Sequence, residues 1–425
     1  MSEIVSRGAI FLNTLGTNLG QRSSRVRSEL NSKERLLAAM ILAEPDHVPL
    51  CFKWWERPYL ADKSESWDSE FERISMVLKL GIDDTFTLKV PVSLGPEVKT
   101  RVRKVHPKEE TYPLLMKEYH TPEGVLKRVI RQTPDWPHGN DVPLFTDFAI
   151  PKARSVEYLV KSEDDVDPLS CLLEEPSKTE LDRFLNEADK IKHFAEENGV
   201  LVEAGMSSEM GVESGVVGAD ALPWLCGLVN TMKAAYLRPS FVERILDVIL
   251  EWDLRYIRLA IESGVVDLIV HRGWYENADF WPPKQYERFI LPHVKKLADY
   301  THKHGLKFCY IMSMSMMPLL GFFKEAGVDV LYGVDPVQGA ADLERIKNEV
   351  GDGICIWGGV NSAVTLKLWS RDRIREAVND AMRVLAPGGG FILSAIDQIF
   401  EDTPWRSIEA MIDAWKRLAD YPVGY

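Results

Sequence analysis

Two stretches of the 425-residue chain gather side chains able to move protons, hold charge or stack on a ring. HRGWYENADFW (271–281) follows the apolar run VDLIV and supplies His271, Glu276 and Asp279 beside Trp274. An imidazole with carboxylates can do acid–base work, or ligate a metal that accepts nitrogen and oxygen, against an aromatic wall. KWWERPY (53–59) follows another apolar run and supplies Lys53, Trp54, Trp55 and Arg57. Its rings can sandwich a flat substrate or enclose a cation, and its cations can hold a carboxylate. Asp397, in SAIDQI, is the best single carboxylate for handling a proton, and Glu203, in VEAGM, can pair with His271 as its orienter. Tyr310 and Met312 in CYIMSM, Asp335 in GVDP and Asn361 in GGVN complete the substrate-contacting candidates. Each has a bland counterpart: Asp279 as a helix cap, Glu203 in an ion pair, the methionines as core fillers, the tryptophans as packing.

These residues must be positioned by something, and the pattern around them is strand followed by helix. From Lys307 to Pro404, short apolar runs end in Gly, Asp or Ser turns and lead into amphipathic helices, three times over, with a fourth opening at GGGF. The alternation extends back to SKERLLAAMILAEP, a helix capped by Asn31-Ser32 with Glu34 in its first turn. About eight such repeats predict a single α/β domain, a (β/α)8 TIM barrel over residues 31–425, with its working face at the carboxyl ends of the strands. Residues 1–30 read as an N-terminal helical arm that packs on a partner subunit, implying a homo-oligomer. Residues 97–140 break the pattern as a β-hairpin insertion with TPEG as a turn. With Tyr310 and Met312 turned to the barrel lumen, alternation turns Cys309 to the helices.

Composition narrows the class. With 45% apolar and 27% charged residues the chain can bury a large core, and a net charge of −13 disfavours a general nucleic-acid surface. Five scattered cysteines without a CxxC pair argue against a disulfide framework or zinc knuckle and for a reducing, cytoplasmic setting. No apolar run is long enough to span a membrane.

From about Ser32 to Trp415 the chain resembles the uroporphyrinogen decarboxylase superfamily, which also includes methyltransferases that work with corrinoid proteins. The resemblance rests on SKERLLAAMILAEPDHVPL, LADYTHKHGLKF, VDVLYGVDPVQGAADLERIKNEVGDGICIWGGVNS and GGGFILSAIDQIFEDTPWRSIEAM. Decarboxylases of the family carry an Arg-rich motif after the first strand and a His near the last; here FKWWERPY and SAIDQI stand in those places. The methyltransferases carry a His-x-Cys at the strand occupied by CYIMSM, and a further Cys near the last strand, as zinc ligands; Tyr310, Met312 and Asp397 stand there. The resemblance therefore implies a divergent enzyme without the family zinc set, leaving His271, Glu276 and Asp279 as the alternative ligands. The leading expectation is O-demethylation of a small substrate such as a methoxylated aromatic, with the methyl group passed to a corrinoid protein. A cofactor-free decarboxylase of an aromatic or pyrrolic acid is the alternative, and a non-catalytic corrinoid- or tetrapyrrole-binding barrel is the third.

Overall fold

A computed structural model describes residues 30–54, 67–144, 154–205, 217–400 and 402–423. The arm, residues 1–30, lies outside this description except for Leu30. Seven strands form one parallel sheet: β1 (Thr85–Leu88), β8 (Leu201–Ala204), β9 (Leu268–Arg272), β10 (Lys307–Ile311), β11 (Val330–Val334), β12 (Cys355–Asn361) and β13 (Phe391–Ile396), paired in that order. Residues 48–54 join its two edges. Cys51 donates to the Leu393 carbonyl (3.0 Å) and Leu393 to that of Pro49 (2.9 Å), while Asp83 donates to Leu50 (2.8 Å). This segment is the eighth stave, so the TIM-barrel-like ring is closed by local bridges rather than by a regular strand.

The amino-terminal end of the barrel is stopped by the helix Ser32–Met40. Asn31 accepts from the Glu34 N–H (2.9 Å) and Glu34 reaches back to the Asn31 N–H (3.0 Å), the reciprocal cap that the sequence announces. The helix buries Leu36, Leu37 and Met40 against the lumen side chains Cys51, Leu201, Leu268 and Ile392. Arg35 ties it in place through Asp46 (2.8 Å) and Asp83 (2.7 Å).

A short antiparallel pair, β2 (Ser93–Leu94) with β7 (Leu173–Glu174), brackets the insertion, an antiparallel sheet of β3 (Lys99–Val105), β4 (Leu114–Thr121), β5 (Gly124–Arg131) and β6 (Ser155–Glu157) with β3 at a free edge. Thr121 to Gly124 makes the turn between β4 and β5, and one face packs Leu115 and Ile130 on Trp136 and Val142. The sheet gains a fourth strand beyond residue 140, which the three-residue run SVE is too short to advertise. No described helix is long and apolar enough to cross a membrane.

Candidate active site

Which parity of each strand faces the lumen decides the site. The lumen cluster contains Leu268 and Val270 of β9, Cys309 and Ile311 of β10, Val330 and Tyr332 of β11, and Cys355 and Trp357 of β12. Tyr310 and Met312 pack instead into the layer between sheet and helices, with Phe308, Phe323 and Tyr286. The expected orientation is thus reversed: Cys309 faces in and Tyr310 faces out. Because side chains alternate with a period of two, an error of one position inverts the whole strand. Tyr310 fits behind the sheet because its hydroxyl has a buried carboxylate there and its ring an edge contact with Phe323 at 5.6 Å.

That carboxylate is Glu276. One oxygen meets His271 Nε2 (3.0 Å) and accepts from the Tyr310 hydroxyl (2.5 Å); the other accepts from the Ala219 N–H (2.7 Å). His271 stacks on Tyr310, centroids 5.2 Å apart. Burial works against its charged form, yet the Glu276 charge and hydrogen bond, with Asp253 and Asp220 beyond, hold its pKa above the ordinary value. Asp253 in turn accepts from the Val217 and Gly218 N–H groups (2.9 Å each) and meets His293 Nε2 at 2.9 Å. His271 and Glu276 are 0% and 1% exposed, so this cluster welds residues 217–221 to the back of the sheet. It lies away from the lumen, and Glu203 does not pair with His271. Asp279 is exposed and takes no part in it.

The lumen mouth holds a different set. Lys53, on the eighth stave, donates from Nζ to both oxygens of Glu203 (2.6 and 2.5 Å) and to Thr85 Oγ1 (2.9 Å). The same ammonium sits 4.6 Å from the Trp357 ring centroid, and Trp357 meets Tyr332 edge-on at 5.4 Å. The Tyr332 hydroxyl donates to the backbone carbonyl of Asp397 at the end of β13. The Asp397 carboxyl is raised above the usual carboxylate range, first by burial and then by Asp335, with a Ser313 hydrogen bond opposing. Its Oδ1 is buried without a hydrogen-bond partner among the described residues. On β9, Arg272 lies over Trp274 (4.7 Å) and faces Asp220 (3.4 Å), which also accepts from the Trp274 (3.2 Å) and Tyr275 (2.5 Å) N–H groups. Burial pushes Asp220 up to about 7 against the pull of Arg272.

The structure therefore brings together Lys53, Glu203, Trp274 and Asp397 of the expected residues, with Trp54 lining the recess beside Lys53. Trp55 and Arg57 lie outside the described residues. Asp335 and Asn361 build loops: Asp335 accepts from Val337 (2.8 Å) and from Asn361 Nδ2 (2.7 Å), while the Asn361 oxygen caps Val364 (2.6 Å). Sequence reasoning missed Arg272, Asp220, Tyr332, Trp357 and Thr85. Arg272 adjoins His271 in VHRGW, and reading the strand with the opposite parity would have found it. Among the described residues no three His, Cys, Asp or Glu side chains make a metal-holding group, and burial raises the thiol pKa of the lumen cysteines Cys51, Cys309 and Cys355. These residues do not make up a zinc site.

Comparison with known proteins agrees with this architecture. Residues 224–418 match the uroporphyrinogen decarboxylase family. The chain is 24% identical over 192 residues to a uroporphyrinogen decarboxylase of Syntrophotalea carbinolica, covering 43% of this chain and half of that protein. A second, from Parasynechococcus marenigrum, is 25% identical over 326 residues, 73% of this chain and 83% of that one. A methyltransferase from Methanosarcina mazei shares the fold with a TM-score of 0.56 at 18% identity, over 92% of this chain and 99% of its own. The fold class is TIM-barrel-like, with a mouth at the carboxyl end of a parallel ring. Within it, the likeness in sequence is to uroporphyrinogen decarboxylases, at 24% and 25% identity, and the likeness to the methyltransferase is one of fold.

Proposed function

We propose that the chain is a methyltransferase that demethylates a small neutral or cationic substrate, with methoxylated aromatics the leading class, and passes the methyl group to a corrinoid protein. The observation that carries this reading is Asp397: a carboxyl raised towards its acid form, with one oxygen unpartnered, beside an aromatic wall of Tyr332 and Trp357. Breaking a methyl ether needs a proton on the departing oxygen, and a carboxylic acid kept neutral supplies it. The corrinoid, when present, supplies the nucleophile that accepts the methyl group. Asp397 protonates the leaving oxygen, Tyr332 fixes the backbone that carries it, and Trp357 and Trp274 flank the ring. Water then returns the proton to Asp397.

The charge pattern favours this over a polyacid substrate. Among the described residues, Lys53 faces Glu203 and Arg272 faces Asp220, so each lumen cation already has a carboxylate. The five free cysteines support a reducing compartment, and we place the enzyme in the cytoplasm. A second reading, decarboxylation of an aromatic or pyrrolic acid with Asp397 managing the proton, is favoured by the names of the sequence relatives. Incubation with cob(I)alamin and a panel of methoxylated aromatics separates them. A methylated-corrinoid spectrum supports transfer; carbon dioxide from a carboxylate substrate, surviving chelation and lost in Asp397→Asn, supports the lyase.

A further inference from the structure

Two acidic side chains stand at strand ends on either side of β12: Asp335 follows β11 and Asp397 follows β13. Their close approach is built in at Gly358 of β12. A Cβ there would lie 2.5 Å from the Val334 carbonyl oxygen and 3.2 Å from Ile396 Cγ1. The residues just before Asp335 and Asp397 therefore press on the same point. Further along β12, Asn361 lies in register with Ile396 and donates from Nδ2 to Asp335 Oδ2 (2.7 Å). Tyr332, three residues before Asp335, reaches the Asp397 carbonyl. The loop after β10 joins them: Ser313 hydrogen-bonds the Asp397 carboxyl, and a Cβ at Gly339 would strike the Ser313 and Asp335 carbonyl oxygens.

The two carboxyls are treated differently. Asp335 is 3% exposed and both its oxygens accept: Oδ1 from the Val337 (2.8 Å) and Gln338 (3.3 Å) N–H groups, Oδ2 from Asn361. A side chain surrounded by donors is an acceptor only, which is the ionised form of a carboxyl. Asp397 has an oxygen buried without a partner among the described residues, and after burial it is the Asp335 charge that favours its neutral form. The other titratable groups at this end of the lumen are committed elsewhere. The Tyr332 hydroxyl is spent on the Asp397 backbone carbonyl, Lys53 on Glu203, and burial holds Cys51 and Cys309 as thiols.

We propose that Asp335, fixed by Asn361, is a positioning residue for Asp397: its buried negative charge keeps the neighbouring carboxyl in the acid form that protonates the leaving oxygen. This rests on the reading of Asp397 as the acid. Two like charges set side by side in a low-dielectric site cannot both ionise cheaply, so the one with more donors keeps its charge and the other keeps its proton. The same contacts also build the loops. Charge separates the two roles: exchanging amide and carboxylate between positions 335 and 361 keeps one negative charge in the cluster, whereas Asp335→Asn removes it.

The experiment uses the full chain, Asp335→Asn, the exchange Asp335→Asn/Asn361→Asp, and Gln338→Glu. Gln338 is exposed and accepts from Asn361 Nδ2 (2.9 Å), so its change adds a charge beside the cluster without disturbing the core. Asp397 is titrated by infrared difference spectroscopy, its protonated-carboxyl band being the one missing in Asp397→Asn. The midpoint should fall by about one pH unit or more in Asp335→Asn, return to the wild-type value in the exchange, and rise in Gln338→Glu at low salt. In cob(I)alamin methylation, the loss of rate with rising pH should move with the midpoint. A wild-type midpoint at the ordinary carboxylate value, one unmoved by Asp335→Asn, or one lowered equally by the exchange overturns the proposal and leaves Asp335 a builder of loops. Should Asp335→Asn fail to fold, Gln338→Glu decides: a raised midpoint sustains the proposal and an unchanged one removes it. If no substrate is turned over, the functional reading fails, and the infrared midpoints alone still decide the role of Asp335.

Discussion

Replacing Lys53 by Met leaves the buried Glu203 carboxylate with only the long contact from the Thr87 hydroxyl (3.5 Å) among the described residues. Its side chain is 1% exposed and that of Lys53 9%, so water cannot take over the two contacts of 2.5 and 2.6 Å. Removing one member of a buried pair costs about 3–5 kcal/mol, most of it the penalty on the charge left behind. Glu203→Leu should cost a similar amount, because Lys53 then keeps only Thr85 and the face of Trp357. The double variant has no stranded charge and should regain most of the loss, giving a coupling energy of about 2–4 kcal/mol. By contrast, the exposed helical pair Arg258–Glu262 should couple by only about 0.3–0.5 kcal/mol. Urea unfolding of the four proteins, compared at equal m-value, measures this. Single losses below about 1 kcal/mol that add in the double variant would mean a wet, exposed pair. That result would refute the placement of residues 48–54 as the eighth stave, since Lys53 reaches Glu203 only from there.

Other expectations follow from the same geometry. Asp397→Asn should lower turnover by about 10²–10⁴-fold, as expected for loss of a positioned acid. Because the folded Asp397 holds its proton more tightly than the unfolded chain does, both activity and stability should fall as pH rises from the ordinary carboxylate value through its raised one. The Asn variant should flatten that stability slope in pH-dependent unfolding. Tyr310→Phe removes a donor to Glu276 and should cost about 1.5–3 kcal/mol while leaving KM unchanged, because the hydroxyl lies behind the sheet. At Gly218 (φ +47°) a Cβ would strike Glu276 and His271, so Gly218→Ala should destabilise by about 1–3 kcal/mol and shift the His271 titration seen by NMR.

The barrel was legible because its signals are local and repeated: caps such as Asn31/Glu34, apolar strand runs, and glycine turns before each helix. Closure by residues 48–54 was legible only as an apolar run, since nothing in DHVPLCFKWW says that it bridges two sheet edges. The site was harder for a definite reason. In strands buried on both faces, such as LIVHR and KFCYI, hydrophobicity does not alternate, so no pattern reports which parity faces the lumen. Tyr310 and His271 were therefore assigned to the cavity, and Arg272 and Tyr332 were passed over. Asp397 and Lys53 were expected at the mouth, where the structure has them, because they sit at strand ends, where position alone predicts access. Asp220 could not be found: it lies 52 residues before Arg272 and meets it only through the fold.

The role proposed for Asp397 in methyl transfer is open to a direct kinetic test. Single-turnover mixing of the enzyme with cob(I)alamin and a methoxylated aromatic, followed at the corrinoid absorption bands, tests it most directly. Methylated corrinoid should form in step with the demethylated phenol, more slowly as pH rises, and should be lost in Asp397→Asn. Carbon dioxide release from a carboxylate substrate, with no methylated corrinoid from any donor, would contradict it.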